Sequence, residues 1–201
     1  MIIVKAEITD IEEVAKLHMQ VFPGFFLTSL GLSFLKELYE GFQSAPYGIF
    51  LVAKKDGRIV AFAAGTSAPE IFFSDLRRRR GIAFVLKAIP SIIKNPLPVC
   101  RKLFYAMRYH GESPIARSSA TLLSSIGASI SCQGTGVAGR LMIAFESEAM
   151  IRGAEYVYLS TDVNSNDRVN AFYQKQGYSV VSSFKQNGRR DMFHYEKQLS
   201  A

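Results

Sequence analysis

The spacing of apolar residues in the first quarter of the chain predicts one strand and two helices. Residues 1–7 read as a short strand that ends in an acidic residue. Apolar positions then recur at helical spacing from Ile11 to Val21, after a capping-box pattern that begins at Thr9. A second helix is predicted over about 32–40, with Gly41 as its stop.

The remaining periodic segments predict two hairpins and a strand–helix–strand–helix run. The hairpins have strands over 47–54 and 59–64, with a turn at 55–58, and over 178–184 and 191–199, with a turn at 187–188. Between them lie a strand at 121–128, a helix at 137–152, a strand at 156–161 and a helix at about 167–175. This order lacks the regular alternation of a doubly wound fold, so the sequence predicts an α+β protein.

Positive charge is concentrated in one segment. The chain has a formal net charge of +7, and residues 76–110 hold nine basic residues and no acidic one, so the rest carries 15 basic against 17 acidic residues, or −2. Aliphatic and aromatic residues alternate with these charges, and Pro90, Pro96 and Pro98 are expected to divide the segment into short amphipathic helices. Two interpretations stay open: a helical cap with a solvated basic face, or an arm that contacts an anionic membrane or a phosphorylated substrate. Nucleic acid is disfavoured because no reading motif is present.

Composition narrows the class of protein further. Apolar residues make up 48% of the chain and charged residues 20%, which predicts a folded protein of 201 residues with a sizeable core. Cys100 and Cys132 are too few for a disulfide framework and have no neighbours at metal-ligand spacing, so no metal is expected. With no secretory signal and no stretch long enough to cross a bilayer, we expect a cytoplasmic protein, with peripheral contact at the inner face of the membrane if the basic segment is a docking arm.

The run from Ile126 to Leu141 is the chemically informative part of the chain. A predicted strand leads into a loop with glycines at 134 and 136, and the loop leads into a helix whose first turn has only small side chains. Glycine lets the backbone approach a ligand, and the unpaired N–H groups of a helix start bind anions, so a diphosphate fits this loop. The spacing matches neither a P-loop nor a dinucleotide fingerprint.

Two linked motifs in this region resemble the GNAT superfamily of N-acetyltransferases. The Gln/Arg-x-x-Gly-x-Gly/Ala signature is met by Gln133, Gly136 and Ala138, and Asn164 to Tyr178 resembles the family's Asn…(Phe/Leu)-Tyr-x-x-x-Gly-(Phe/Tyr) element. The resemblance covers about 121–184. It implies a mixed, mainly antiparallel sheet flanked by helices, in one acetyltransferase domain over 1–201 with a basic helical insertion at about 68–118. It also implies acetyl-CoA as cosubstrate.

The resemblance assigns roles to residues on both motifs. Backbone N–H groups of the strand Ile126, Gly127 and Ala128 would hold the thioester carbonyl. Tyr173 would protonate the departing thiolate, unless it only packs the short helix onto the sheet. The residues implied in cofactor binding are Gln133, Gly134, Thr135, Gly136, Val137, Ala138, Gly139, Asn166 and Phe172.

The general base is less defined. The glutamate that some relatives place on the strand before the asparagine is absent, and Asp162 is the nearest carboxylate, either a base acting through water or a turn-former. Glu70, His110 and Glu112 flank the insertion as further candidates or as surface residues. His18 lies on an apolar helix stripe, which is typical of a buried histidine, and Cys132 reads as a small filler rather than a nucleophile.

The acceptor stays open between classes. A small or carrier-linked amine is the leading expectation, with an amino sugar favoured, because Phe22 to Gly31 and the basic insertion loosely resemble a bacterial subgroup associated with surface polysaccharide synthesis. The alternative acceptor is the terminal amine or a lysine of a protein. A third hypothesis is that the chain is a non-catalytic CoA-binding module that docks to a membrane. A homodimer is compatible with all of these.

Overall fold

The computed structural model describes residues 1–94, 96, 99, 119–186 and 190–200. They form a seven-stranded sheet in the order β1-β2-β3-β4-β5-β7-β6, with every neighbouring pair antiparallel except β4 and β5. The strands are β1 Ile2–Lys5, β2 Gly48–Lys55, β3 Arg58–Thr66, β4 Ala120–Ala128, β5 Tyr156–Asp162, β6 Ser179–Gln186 and β7 Arg190–Gln198. The predicted α+β fold with a mixed, mainly antiparallel sheet is confirmed.

Helices cover both faces of this sheet. They are α1 Ile11–Val21, α2 Phe26–Ser29, α3 Leu32–Ser44, α4 Pro69–Lys94, α5 Val137–Ile151 and α6 Asp167–Lys175, with 3-10 turns at Ile8–Asp10 and Ile130–Cys132. Both predicted hairpins are present, although the predicted turn at 187–188 lies outside the described residues. The division into one domain with an insertion at about 68–118 stays a prediction.

Two helix boundaries differ from the sequence expectation. The capping box begins at Glu7 rather than Thr9, since the Glu7 backbone N–H donates to Asp10 Oδ2 at 3.0 Å and Asp10 closes a 3-10 turn before α1. Gly41 does not stop α3, which runs on to Ser44. A side chain at Gly41 would place its Cβ 2.4 Å from Leu76 Cδ1 of α4, so glycine serves the packing of two helices there.

Pro90 does not divide the basic segment where the sequence predicted. α4 continues through it to Lys94, as one helix of 26 residues. Proline removes one backbone hydrogen bond from a helix interior, and here the packing of α4 against α3 outweighs that loss. Phe84 and Ala88 lie buried against Leu30 and Phe34. In the described ranges no helix is long and apolar enough to cross a membrane.

The sheet separates two apolar cores. On one face α5 and α6 cover residues from β2 to β7, including Leu141, Phe145, Tyr173 and Tyr195. On the other face α1, α3 and the start of α4 cover β2 and β3. Each face is apolar because alternate strand residues point to opposite sides, so the sheet is buried on both sides over its central strands.

Two basic residues of α4 form ion pairs with α3. The carboxylate of Glu37 on α3 is only 5% exposed and receives Arg80 at 2.5 Å and Lys87 at 2.7 Å. Arg80 also contacts Glu40 at 3.0 Å. Burial opposes the ionisation of Glu37, but the hydrogen bonds from Lys87 and Arg80 outweigh it and lower its pKa. These ion pairs join α4 to α3.

β4 and β5 diverge soon after they begin to pair. They are parallel neighbours only from Ala120↔Tyr156 to Leu122↔Tyr158. On its other edge β4 stays paired with β3 up to Ala128, but its register shifts by one residue at Ser124. A β-bulge bends the strand that carries it, so Ser124 marks the point where β4 turns away from β5. The two strands therefore enclose an opening between them.

Replacing Glu37 by Gln tests the attachment of α4 to α3. We expect Glu37→Gln to lower the free energy of unfolding by about 2 kcal/mol at pH 7, less than for fully buried pairs because Arg80 and Lys87 are partly exposed. Because the pKa of Glu37 is lowered in the fold, its contribution is complete above its unfolded value of about 4.3 and is lost as the pH falls through the folded value. The difference between the two proteins should therefore disappear in acid.

Denaturant unfolding of both proteins from pH 7 to pH 3 measures this difference. Glu12→Gln is the matched control, because Glu12 pairs with Lys16 and Lys36 at the exposed surface, and it should leave the unfolding midpoint at pH 7 unchanged. Equal stability of Glu37→Gln and the parent protein at pH 7 would show that these ion pairs do not hold α4 in place.

Candidate functional site

The opening between β4 and β5 contains the predicted carbonyl-binding strand. Ile126, Gly127 and Ala128 all lie beyond Leu122, the last β4 residue paired with β5. Their edge toward β5 therefore has no strand partner, although β3 pairs with their other edge. Backbone N–H groups on such an edge are free to meet a carbonyl oxygen that enters the opening.

Side chains of β4 point alternately to the two faces at this opening. A Cβ on Gly127 would lie 2.8 Å from Val21 Cγ2, 3.0 Å from Phe62 and 3.2 Å from Phe22, so it would point at the end of α1. Ser125 points to the same face, while Ile126 and Ala128 pack on the α5–α6 face. We call the face toward α1 and α3 the acceptor face.

The glycine-rich loop lies at the end of β4 and leads into α5. Gly134 and Gly136 both have positive φ, 76° and 72°, and a Cβ on either would meet nothing within 4 Å. Gly136 is the N-cap of α5, and residues 133–136 are exposed. Val137 is 2% exposed and anchors the helix start in the core. The first N–H groups of α5, at Val137, Ala138 and Gly139, thus begin at an open, exposed turn, which suits a diphosphate.

Two arginines that the sequence analysis did not single out flank this loop. Arg140 donates to the carbonyl oxygen of Thr135 at 3.3 Å. Arg168, at the start of α6, lies 2.6 and 3.1 Å from the amide oxygen of Gln133 when that amide is oriented to accept. Both guanidinium groups are exposed and add positive charge beside the helix start. The residues present therefore fit the diphosphate of a coenzyme A.

Tyr173 lies on the buried side of α6. Its ring contacts Phe172, Tyr178 and Tyr195 at centroid distances of 5.4, 6.0 and 5.6 Å. Tyr173 is only 7% exposed, and its hydroxyl has no hydrogen-bond partner among the described residues. Burial raises the pKa of Tyr173, and the neighbouring Tyr195 adds to this shift, so the phenol is protonated at neutral pH.

Asn166 binds the end of β5 instead of capping α6 with its side chain. Its amide nitrogen donates to Thr161 Oγ1 at 2.8 Å and to the Asp162 carbonyl at 3.0 Å. Asn170 donates to the same carbonyl at 3.2 Å. Asn166 is the N-cap residue of α6 by its backbone position, but its side chain makes no cap hydrogen bond. Phe172 is half-buried beside Tyr173.

Asp162, the candidate base, is already paired. Arg190 on β7 donates from Nε to Asp162 Oδ1 at 2.9 Å, and a second, shorter contact joins its terminal nitrogen to Oδ2. The guanidinium carbon of Arg190 also lies 5.5 Å from the ring centre of Phe25. Proton abstraction by Asp162 would require this bidentate pair to open. The arrangement positions Arg190 and Phe25 beside the acceptor face.

A buried polar chain reaches the acceptor face from His18. His18 Nδ1 lies 2.6 Å from Tyr39 Oη, which lies 3.3 Å from Ser125 Oγ. Burial lowers the pKa of His18 to about 4, so the imidazole is neutral, and its Nε2 is buried without a partner. His18 is thus a core histidine, as predicted, but one that orients Ser125 through Tyr39.

Ser160 and His194 form a second pair that sequence reasoning missed. The Ser160 hydroxyl and His194 Nδ1 are 2.8 Å apart on neighbouring strands, and Phe184 stacks on His194 at 4.4 Å. Ser160 has the same strand parity as Asp162, so it points to the acceptor face. An imidazole can act as a general acid or base, so this pair places such a group on the acceptor face. The pair is formed across 34 residues, which no local pattern reveals.

The remaining candidate site residues lie away from the opening between β4 and β5, or outside the residues that the structure describes. Cys132 is 6% exposed and packs in the α5–α6 core, as a filler would. Glu70 is exposed in the first turn of α4. His110 and Glu112 lie outside the described residues. Within the ranges that the structure describes, no group of three or more His, Cys, Asp or Glu could hold a metal ion.

Comparison with solved structures shows the same fold in acetyltransferases. A putative acetyltransferase of the GNAT family from Desulfovibrio desulfuricans matches with a TM-score of 0.65 and 14% identity, over 98% of each chain. The ribosomal-protein-S18-alanine N-acetyltransferase from Escherichia coli matches with a TM-score of 0.61 and 14% identity, over 100% of this chain and 94% of that one.

An aminoglycoside 6'-N-acetyltransferase complexed with coenzyme A matches with a TM-score of 0.63 and 17% identity, over 98% of this chain and 97% of that one. No curated protein sequence matches the chain. The model of the Acetyltransferase (GNAT) family matches residues 105–178, which contain the divergent strand, the glycine-rich loop and α6. The chain is therefore similar to GNAT acetyltransferases in sequence over residues 105–178, and its fold is the fold of the solved GNAT acetyltransferases.

Proposed function

We propose that this protein transfers the acetyl group of acetyl-CoA to a primary amine of a small or carrier-linked acceptor, with amino sugars as the favoured class. The observation that carries the proposal is the position of the glycine-rich helix start at Gly136, directly after the β4 edge that diverges from β5. A diphosphate bound at that helix start directs the thioester arm toward the opening. There, backbone N–H groups without a strand partner can bind the thioester carbonyl.

The residues around the opening divide the chemistry between the two faces of the sheet. Those backbone N–H groups of residues 126–128 that point away from β3 stabilise the negative charge that develops on the thioester oxygen when the amine attacks. Tyr173, on the α5–α6 face with a protonated hydroxyl, donates a proton to the departing thiolate. The amine approaches from the acceptor face, where Ser125 offers a hydroxyl that Tyr39 and His18 hold in place.

The lining of the acceptor face supports a sugar-like or phosphorylated acceptor. Phe25 is 43% exposed and presents an aromatic ring, a surface on which the apolar face of a sugar packs. Arg190 lies over that ring and supplies a cation beside it, which suits a phosphate or carboxylate on the acceptor.

A protein amine is the second candidate acceptor. The solved structures that share this fold include ribosomal-protein-alanine N-acetyltransferases from Escherichia coli and Brucella melitensis, as well as the aminoglycoside enzyme. The third hypothesis, a CoA-binding module without catalysis, predicts CoA binding and no turnover with any amine.

Measuring turnover with a panel of amine acceptors distinguishes these hypotheses. We expect acetyl-CoA-dependent thiol release with at least one amino sugar or sugar-phosphate amine, and slower release with peptides that present a free terminal amine or lysine. Thiol release is followed spectrophotometrically, and mass spectrometry confirms the acetylated product. Faster acetylation of peptides than of amino sugars would reverse the proposed acceptor class.

The phosphate-binding role of the loop predicts a specific loss of CoA affinity. A carboxylate at Gly136 would stand where the diphosphate binds and oppose its charge, so Gly136→Asp should weaken CoA binding at least about tenfold, or about 1.4 kcal/mol. Isothermal titration calorimetry with coenzyme A measures the change.

Gly153→Asp is the matched control for that substitution. Gly153 follows the other end of α5, has φ +83°, and is also open to solvent, so the backbone strain is comparable while the site is remote. It should leave CoA affinity unchanged. Equal affinity of Gly136→Asp and the parent protein would remove the loop from the binding site.

The proton-donating role of Tyr173 predicts a loss of turnover without a loss of binding. Tyr173→Phe keeps the ring in the core and removes only the hydroxyl, so kcat should fall about a hundredfold while the Kd for CoA is unchanged. Tyr178→Phe is the control, because the Tyr178 hydroxyl donates to Glu146 at 3.0 Å inside the core and does not face the opening. If Tyr173→Phe retains full kcat, Tyr173 only packs α6 onto the sheet.

A further inference from the structure

The second half of α4 exposes an unusual number of large aliphatic side chains. They are Ile82 (80% exposed), Val85 (43%), Leu86 (58%), Ile89 (41%) and Ile93 (76%). Their spacing of three, four and seven residues places them on one side of the helix, as a continuous stripe. We call these five residues the α4 stripe.

The α4 stripe is on the side of the helix opposite to the core. Phe84 and Ala88, which alternate with it in sequence, are 5% and 0% exposed and pack on Leu30 and Phe34. The stripe therefore is not the face that attaches α4 to the fold. From Ile82 to Ile93 it extends about 16 Å along the helix axis, at 1.5 Å per residue.

The basic residues of α4 are likewise divided between the side that faces α3 and the exposed side. Arg80 and Lys87 face α3 and pair with the buried carboxylate of Glu37. Arg78 and Arg79, one turn before the stripe, have side chains 74% and 71% exposed, and the ion pair they form within the described residues is with the surface carboxylate of Asp75, at 3.2 and 4.0 Å. Two arginines against one aspartate leave a net positive charge beside the apolar stripe.

We propose that the α4 stripe binds the protein peripherally to an anionic lipid surface. The five aliphatic side chains would enter the boundary between headgroups and acyl chains, while Arg78 and Arg79 meet lipid phosphates. An apolar helix face next to basic residues is the pattern of helices that lie in the membrane interface. The proposal is independent of the acetyltransferase reaction, although it would bring the acceptor face near carrier-linked substrates.

A flat lipid surface fits the stripe better than a second protein copy does. A stable protein interface uses roughly 20–30 residues on each side, and a single helical stripe of five residues falls far below this. A lipid bilayer needs no complementary pocket and accepts a narrow, straight row of aliphatic side chains. The exposed arginines also favour an anionic partner over a neutral apolar one.

Vesicle flotation of the full-length protein tests the proposal without acetyl-CoA or an acceptor. We expect binding at low salt to vesicles of equal parts phosphatidylglycerol and phosphatidylcholine, and at least about tenfold weaker binding to phosphatidylcholine alone. The triple variant Ile82→Glu, Leu86→Glu, Ile93→Glu should lower binding to the anionic vesicles at least about tenfold. Arg78→Glu with Arg79→Glu should lower it as well, with the stripe intact.

The control is Ile143→Glu with Ile151→Glu. These isoleucines are 59% and 78% exposed on α5, so the change in surface hydrophobicity and charge is similar but lies on another helix. The control should bind vesicles like the parent protein, and all variants should keep the parent melting temperature. Absence of binding to anionic vesicles, or equal binding by the triple variant, would overturn the proposal. So would a concentration-dependent dimer in sedimentation that only the triple variant abolishes, since it would assign the stripe to a second copy of the chain.

Discussion

The short parallel ladder between β4 and β5 is the constraint on which the site depends. Parallel neighbours pair over three residues, from Ala120 to Leu122, and the bulge at Ser124 then bends β4 away. If the ladder continued, those N–H groups of residues 126–128 that point away from β3 would bond to β5, and none would be left for a substrate carbonyl. The sheet thus lacks several backbone hydrogen bonds between β4 and β5 at its centre. The pairing of β4 with β3 keeps the unpaired edge of β4 rigid.

The opening also separates two chemical environments. On the α5–α6 side lie the exposed helix start at Gly136 and the buried phenol of Tyr173, which suit a phosphorylated thioester and its leaving group. On the acceptor face lie hydroxyl groups, Phe25 and Arg190. The buried chain from His18 through Tyr39 to Ser125 shows how an apolar core can still fix the direction of a surface hydroxyl. Because His18 is neutral, this chain introduces no buried charge.

Local patterns predicted the elements well, and long-range contacts account for the errors. The glycine-rich loop and the helix at 167–175 were predictable because both motifs are contiguous in sequence. Gly41 was misread as a stop, since its reason lies in Leu76 on another helix. The pairing of Asp162 with Arg190 joins residues 28 apart, and that of Glu37 with Arg80 joins residues 43 apart. Such pairs occupy the carboxylate of Asp162 with Arg190 and use Arg80 to attach α4 to α3.

Gly127 allows β4 to pack closely against the end of α1, because it has no side chain. Its α-carbon lies so close to α1 that even one added methyl group would meet Val21 at 2.8 Å and Phe62 at 3.0 Å. A larger residue there would push the end of α1 outward, and Phe22 and Phe25, which follow it, would move with it. In the proposed reaction, the absence of a single carbon atom at Gly127 would set the distance between the thioester carbonyl and the residues that receive the amine. Variation in acceptor preference among close relatives should then arise from the residues after α1, while this glycine stays fixed.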